Sequence, residues 1–175
     1  AFTFEMYKKK LLIIGSGGHA KSCINVIESI KGVKIIGIID NTKKKKLGKY
    51  KVICNLNNIS KIKKMTKNLV LGVGGIKNKL IKEKIFNKYK KLGFTFPILI
   101  SRHSVVSKET KIDEGTIIFN HVYINIGAKI GKNCIINNKS LIEHDALIGD
   151  HCHISTGVIV NGGCKVGSGS FIGTG

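Results

Sequence analysis

The sequence predicts a chain in two parts, a Rossmann-like α/β half-domain followed by an all-β parallel solenoid of six-residue repeats. Three observations carry this reading. Aliphatic residues recur at every sixth position from Ile100 to Ile172. Residues 6–97 alternate β-like apolar runs with helical stretches and open on a glycine-rich turn. Charge is also split: residues 1–97 hold 23 Lys against four acidic residues, whereas residues 98–175 hold seven basic and six acidic ones. The 175 residues suit one large or two small domains. Residues 1–5 read as an added leader before a natural start at Met6, with domains at 6–97 and 98–175.

The solenoid signal is the stronger. Ile, Val and Leu fill 52 of 175 positions, so thirteen consecutive hits at a spacing of six arise by chance on the order of once in ten million registers. No helix fits this period, since its apolar face recurs every 3.6 residues. Short strands separated by turns do, with the residue two before each hit on the same inward side. That residue is mostly small, as at Ser104, Thr110, Thr116, Ala128, Ser140 and Ala146. Three such strands make a triangular coil of eighteen residues, and coils stack about 4.8 Å apart. Cys134, Cys152 and Cys164 fall in the small inward slot and read as core fillers. Gly175 ends the chain mid-repeat without a polar cap, so the native protein is expected to continue for one or more coils.

In the first half, the run 10–14 enters Gly15-Ser16-Gly17-Gly18-His19-Ala20 and then a helix to about Ile30. A second strand, 34–39, ends in Asp40. Later come a short helix at 59–65, a strand at 69–73 ending in Gly74-Gly75, and a helix from about Lys77 to Leu92. Alternation of this kind argues for a parallel α/β unit. Gly15, Gly17 and Ala20 have the spacing G-x-G-x-x-G/A, which lets a phosphate approach a helix N-terminus. Asp40 could bond a ribose or base. About 90 residues supply little more than one mononucleotide half, which favours a sugar nucleotide or mononucleotide over NAD. A tight strand-to-helix turn with no ligand is the plainer alternative, and His19 could contact a phosphate or simply cap the helix.

Composition excludes several classes. The net charge is +20, yet Arg102 is the single arginine and Trp is absent. Base reading relies on arginine forks and stacking aromatics, so nucleic acid is not the expected partner. Abundant Lys, Ile and Asn point to an AT-rich coding bias, and the basic face favours anionic ligands. No apolar run approaches the roughly 20 residues of a membrane span. The N-terminus lacks a signal peptide's features. Five Cys without paired spacings indicate reduced thiols and a cytoplasmic protein.

One stretch of the solenoid concentrates ionisable groups, from Glu143-His144-Asp145 through Asp150-His151-Cys152-His153. His144 lies near a prism corner with Asp145 beside it as an orienting partner. His153, one residue before inward Ile154, should point outward. A solvated polar wall would show the same residues. A zinc site from His144, His151 and His153 lacks an evident fourth ligand. His103 and His121 fall outside this cluster and read as surface residues.

Gly-Ser-Gly-Gly-His-Ala ahead of a hexapeptide solenoid, with Asn137, Ile142-Glu143-His144-Asp145, Gly149-Asp150 and His153-Ile154-Ser155, resembles the bacterial sugar acetyltransferases. These include the sialic-acid O-acetyltransferases and the UDP-4-amino-sugar N-acetyltransferases of glycan biosynthesis. The resemblance covers nearly all of residues 6–175. It implies that the solenoid is a left-handed parallel β-helix, packed as a homotrimer with active sites between subunits. It implies a catalytic base at His144, raised in basicity by Asp145, with His153 near the acetyl-CoA thioester carbonyl. Cofactor contacts fall around Gly173 and Thr174. Sugar-nucleotide contacts fall on Gly17, Gly18, His19, Asp40, Asn41 and Gly74. Asn41 and Gly75-Ile76 depart from the family pattern, which leaves the nucleotide open.

The expected reaction is acetyl transfer from acetyl-CoA to a nucleotide-activated amino sugar, with no metal. O-acetylation of sialic acid or a related sugar is the alternative. A zinc hydratase like the γ-type carbonic anhydrases, or a non-catalytic nucleotide-binding scaffold, are more distant ones.

Overall fold

The structure is a computed structural model and describes residues 9–74 and 79–175. The chain divides into two compact units, the first ending at Pro97 and the second beginning at Ile98.

The first unit runs β1 (Lys9–Ile14), α1 (Gly18–Ser29), β2 (Val33–Ile39), β3 (Lys46–Leu47), β4 (Tyr50–Cys54), α2 (Ile59–Met65), β5 (Leu69–Leu71) and α3 (Lys79–Lys91). Its sheet has the order β3-β4-β2-β1-β5, with every pairing parallel except β3–β4. β1 lies inside the sheet, and Leu11 to Ile14 are buried without interruption, as a strand covered on both faces requires. On one side Leu12 and Ile14 join Ile62, Phe86, Tyr89 and Phe96 in a core cluster. α1 buries Ala20, Cys23, Val26 and Ile27.

Sequence and structure differ here in two places. The strand expected to reach Val73 ends at Leu71. The β3–β4 hairpin was not foreseen, because lysines flank and interrupt its short apolar runs. Gly48, in the left-handed region at φ +56°, turns it. β4 then extends the parallel sheet, with Ile38 opposite Val52. The expected helix start at Lys77 and the Gly75-Ile76 departure lie outside the described residues.

The second unit is a parallel β-helix. Two-residue strands recur every six residues, from Leu99–Ile100 (β6) to Phe171–Ile172 (β18). They stack into three sheets. Every register spans eighteen residues: Ile124 sits over Ile142, Ile130 over Ile148 and Ile136 over Ile154. The predicted aliphatic column forms one continuous buried core through Ile118, Ile124, Ile130, Ile136, Ile142, Ile148 and Ile154. From Ile112 onward, the third residue after each hit turns the corner in the left-handed region. From Gly115 to Gly175 these residues are Gly, His, Asn, Lys or Asp, all with φ between 54° and 80°.

The small slot does more than save space. Thr110, Thr116, Ser140, Cys134 and Cys152 each donate a side-chain hydrogen bond to the carbonyl fifteen residues on, in the next coil. Cys164 breaks the expectation that all three solenoid cysteines are core fillers. It is exposed in the last described coil, unlike the buried Cys134 and Cys152.

The outward residues differ by sheet. The first sheet presents Val105, Tyr123, Leu141 and Ile159, of which Val105 and Ile159 are about 60% exposed (57% and 61%). The second presents Lys111, Lys129, Leu147 and Lys165. The third presents Leu99, Ile117, Ile135, His153 and Phe171.

Thiol chemistry checks this arrangement. Cys23, Cys134 and Cys152 are buried, and burial pushes the Cys23 thiol up to about 12. An alkylating reagent should leave these three unlabelled in the native protein and reach them only on unfolding, as read by peptide mass spectrometry. Prompt native labelling of Cys134 or Cys152 would contradict the inward slot.

Candidate active site

Two groups of polar residues emerge, one in each unit. In the first, β1 delivers the chain to Gly15, whose φ of +98° makes the sharp turn into α1. α1 then passes close to the loop after β5: a Cβ on Gly72 would lie 2.8 Å from the Ala20 Cβ. This explains the small residue at the third motif position, since the helix reaches the sheet edge only if Ala20 and Gly72 are both small. The N-cap Gly17 makes no side-chain cap, and no acidic residue occupies the first turn. The uncapped helix N-terminus and the positive end of its dipole therefore border an open pocket.

That pocket, about 530 Å³, is lined by Gly17, Gly18, His19, Asp40 and Gly74. Five of the six substrate residues expected from sequence therefore converge. Asn41 does not line it. Its carboxamide oxygen instead accepts the Leu56 N–H at 2.9 Å. The Tyr89 hydroxyl, pushed up to about 12 mainly by burial, donates to the Leu56 carbonyl at 2.6 Å. Leu56, a lining residue that sequence reasoning missed, is thus pinned at both ends. Ser16 was also missed. It is buried, its hydroxyl lies 3.3 Å from that of Thr42, and its carbonyl accepts from Lys44 Nζ at 3.2 Å. The Lys43–Lys46 run gave the only sequence hint of that contact.

In the solenoid, the corner after Leu141–Ile142 carries Glu143, His144 and Asp145. Glu143 accepts from the Asn125 carboxamide one coil earlier at 2.8 Å. Asp145 has the left-handed φ of its corner, +58°, and its N–H bonds the Ile126 carbonyl. This turn swings the carboxylate back onto the preceding side chain, and His144 Nδ1 lies 3.0 Å from Asp145 Oδ2. With Nδ1 donating, Nε2 keeps a free lone pair and can take a proton. Both side chains are more than half exposed.

The other expected residues are spread over the prism. His153 points outward from the third sheet, as its register requires, yet is 8% exposed rather than solvated. Its ring meets Phe171 edge-on at 5.1 Å. Gly173 and Thr174 lie just past that sheet, with the Thr174 hydroxyl 3.2 Å from that of Ser155. His151 sits at the second corner, its Nδ1 2.8 Å from the Asn133 carboxamide. His144, His151 and His153 therefore occupy two corners and a sheet, and no cluster of three His, Cys, Asp or Glu suited to a metal occurs among the described residues.

Residues 10–89 match the family described as the PglD N-terminal domain. Among solved structures, the acetyltransferase domain of PglB from Neisseria gonorrhoeae superposes with a TM-score of 0.81 at 22% identity, covering 94% of this chain and 91% of that one. A histidine-to-asparagine mutant of perosamine N-acetyltransferase from Caulobacter crescentus, in complex with CoA and GDP-perosamine, gives 0.77 at 22% identity, with 95% and 89% covered. WeeI from Acinetobacter baumannii gives 0.67 at 21% identity, with 95% and 92% covered. No curated protein matches the chain. The resemblance to bacterial sugar acetyltransferases holds, and the chain shares their fold, an α/β half followed by a left-handed β-helix.

The α/β unit makes a sharp stability prediction. A Cβ at Gly72 would press on Ala20, Ile13 and the Ile14 carbonyl, so Gly72→Ala should cost about 1–3 kcal/mol. Gly17 has nothing within 4 Å of its Cβ position and an ordinary φ of −83°, so Gly17→Ala should stay within about 0.5 kcal/mol. Urea denaturation measures both. Equal effects would contradict the helix–sheet contact.

Proposed function

We propose that the protein transfers the acetyl group of acetyl-CoA to the amine of a nucleotide-activated amino sugar in bacterial glycan biosynthesis. The observation that carries this is the His144–Asp145 pair on a hexapeptide solenoid, joined in one chain to a unit that matches the PglD N-terminal domain. The pocket at the start of α1 holds the nucleotide end of the acceptor. Its uncapped helix N-terminus and the nearby Lys44 favour a diphosphate. Gly17, Gly18, His19, Asp40 and Gly74 face that ligand, and Asn41 acts through Leu56. The solenoid takes acetyl-CoA, with His153, Gly173 and Thr174 as its contacts and the lysine column of the second sheet offering charge to its phosphates. Two solved neighbours hold acetyl coenzyme A, or CoA with GDP-perosamine. Nothing in the reaction calls for a metal.

The chemistry follows from the pair. Asp145 holds the Nδ1 proton of His144, so Nε2 accepts a proton from the sugar amine as its nitrogen attacks the thioester carbonyl. The new C–N bond makes a tetrahedral oxyanion, which N–H donors stabilise. Collapse breaks the C–S bond, and the proton held on His144 leaves with the CoA sulfur. No covalent acyl-enzyme is required.

The assembly that completes such a site is a homotrimer. In one chain His144 lies at the corner between the first and second sheets and His153 on the third, across the prism core. A neighbouring copy could bring its His153 towards this His144. The exposed apolar column of the first sheet, Val105, Tyr123 and Ile159, suits burial against another copy. Light scattering at micromolar concentration should give three times 19.1 kDa. A monomer mass would count against the shared site. Free thiols and a CoA co-substrate support a cytoplasmic location for this reading, and no described helix is long and apolar enough to cross a membrane.

Release of CoA thiol tests the reaction. With acetyl-CoA and a panel of UDP- and GDP-linked 4-amino sugars, at least one acceptor should drive release. His144→Ala should lower kcat by about 10²–10⁴-fold with the fold intact, and Asp145→Asn by less. A fully active His144→Ala protein would overturn the mechanism.

A further inference from the structure

The exposed pair His144–Asp145 must be held by something, and the neighbouring coils show what. Eighteen residues before and after His144 stand Ile126 and Gly162, and before and after Asp145 stand Gly127 and Gly163. A Cβ on Gly162 would lie 2.5 Å from His144 Nε2, 2.7 Å from Cε1 and 3.0 Å from Cδ2. The imidazole thus lies flat against the bare backbone of the following coil. A Cβ on Gly127 would in turn meet the Asp145 carboxylate. Each member of the pair rests where an adjacent coil lacks a side chain, and the Gly163 N–H bonds the His144 carbonyl at 2.9 Å.

Backbone geometry separates the two glycines. Gly127 has φ +73° and would be the favoured residue at its corner whatever lay beside it. Gly162 is not in the left-handed region, so its conformation suits any residue. What excludes a side chain at Gly162 is the ring above it. The steric demand falls on Nε2 and its two ring neighbours, Cε1 and Cδ2, and so includes the nitrogen that must receive the proton.

We infer that Gly162 is a positioning residue for His144: its bare backbone is the surface on which the imidazole lies while Nδ1 stays bonded to Asp145 and Nε2 stays open to the acceptor. A methyl group there lifts the ring, stretches the 3.0 Å contact and turns Nε2 from its direction. This rests on the reading of His144 as the general base.

The test is Gly162→Ala in the full chain, with Gly167→Ala as a control, since the Gly167 Cβ position meets nothing nearer than Ser170 Oγ at 4.0 Å. Gly162→Ala should lower kcat by about 10–100-fold, a part of the general-base contribution, with the KM for acetyl-CoA within twofold and Gly167→Ala unchanged. Nitrogen-15 imidazole shifts supply a readout that a merely structural role would not move. In the native protein they should show the neutral ring protonated at Nδ1, and in Gly162→Ala a mixture of tautomers. Nuclear Overhauser contacts between the Gly162 Hα protons and the His144 ring should be present in the native protein, which tests the packing even if the variant folds poorly. Native kcat and native tautomer in Gly162→Ala, or no such contacts in the native protein, would overturn the inference. His144→Ala separates the two levels: if it abolishes activity while Gly162→Ala does not, the base stands and the positioning role falls.

Discussion

Closing a coil in eighteen residues requires a corner every six, and each corner from Gly115 onward takes one residue in the left-handed region. For residues other than glycine that conformation costs roughly 1–2 kcal/mol, so the solenoid depends on ladder hydrogen bonds and the buried aliphatic column to hold it. Five non-glycine residues accept that conformation, and one of them is Asp145. Its side chain returns over His144 because the backbone turns there. The pair is thus a by-product of coil closure, made rigid by the coils on either side. A site on such a scaffold needs no flexible loop to set its geometry.

Stacking in a fixed register also decides what surrounds the pair. Each position sees the residues eighteen before and after it, so a charged tripeptide in one coil must be matched by tolerant neighbours. Asn125 takes up Glu143, while Gly127 and Gly162 make room for Asp145 and His144. The α/β unit solves a parallel problem by other means. Ala20 and Gly72 let α1 approach the sheet, and Asn41 and Tyr89 clamp Leu56 at the pocket wall from behind.

Much of this was legible in the sequence, and the reasons are physical. The six-residue period survives because each aliphatic side chain fills the same prism, so the core and the eighteen-residue coil follow from Ile124, Ile142 and their kin. Gly15-x-Gly17 after an apolar run marks the pocket because few other sequences make that turn. The hairpin of Lys46–Leu47 with Tyr50–Cys54 was not legible, since an edge strand among lysines has no hydrophobic signature. Nor was the slot ladder: Ser140 and Cys134 read as merely small, and their bonds to the next coil depend on a fifteen-residue relation between side chain and carbonyl. His153 shows the limit of a local rule. Its outward direction follows from its place before Ile154, but its edge-on contact with Phe171 depends on the eighteen-residue register that stacks the two.

In the proposed reaction, acetyl transfer ends on an amine of a sugar still attached to its nucleotide. The most direct measurement is mass spectrometry of the sugar nucleotide after incubation with enzyme and acetyl-CoA, followed by mild alkali. The expected product is heavier by one acetyl group and survives the alkali as an amide. An alkali-labile ester would contradict the amine as acceptor, and an unmodified sugar nucleotide across UDP- and GDP-linked amino sugars would contradict the assignment itself.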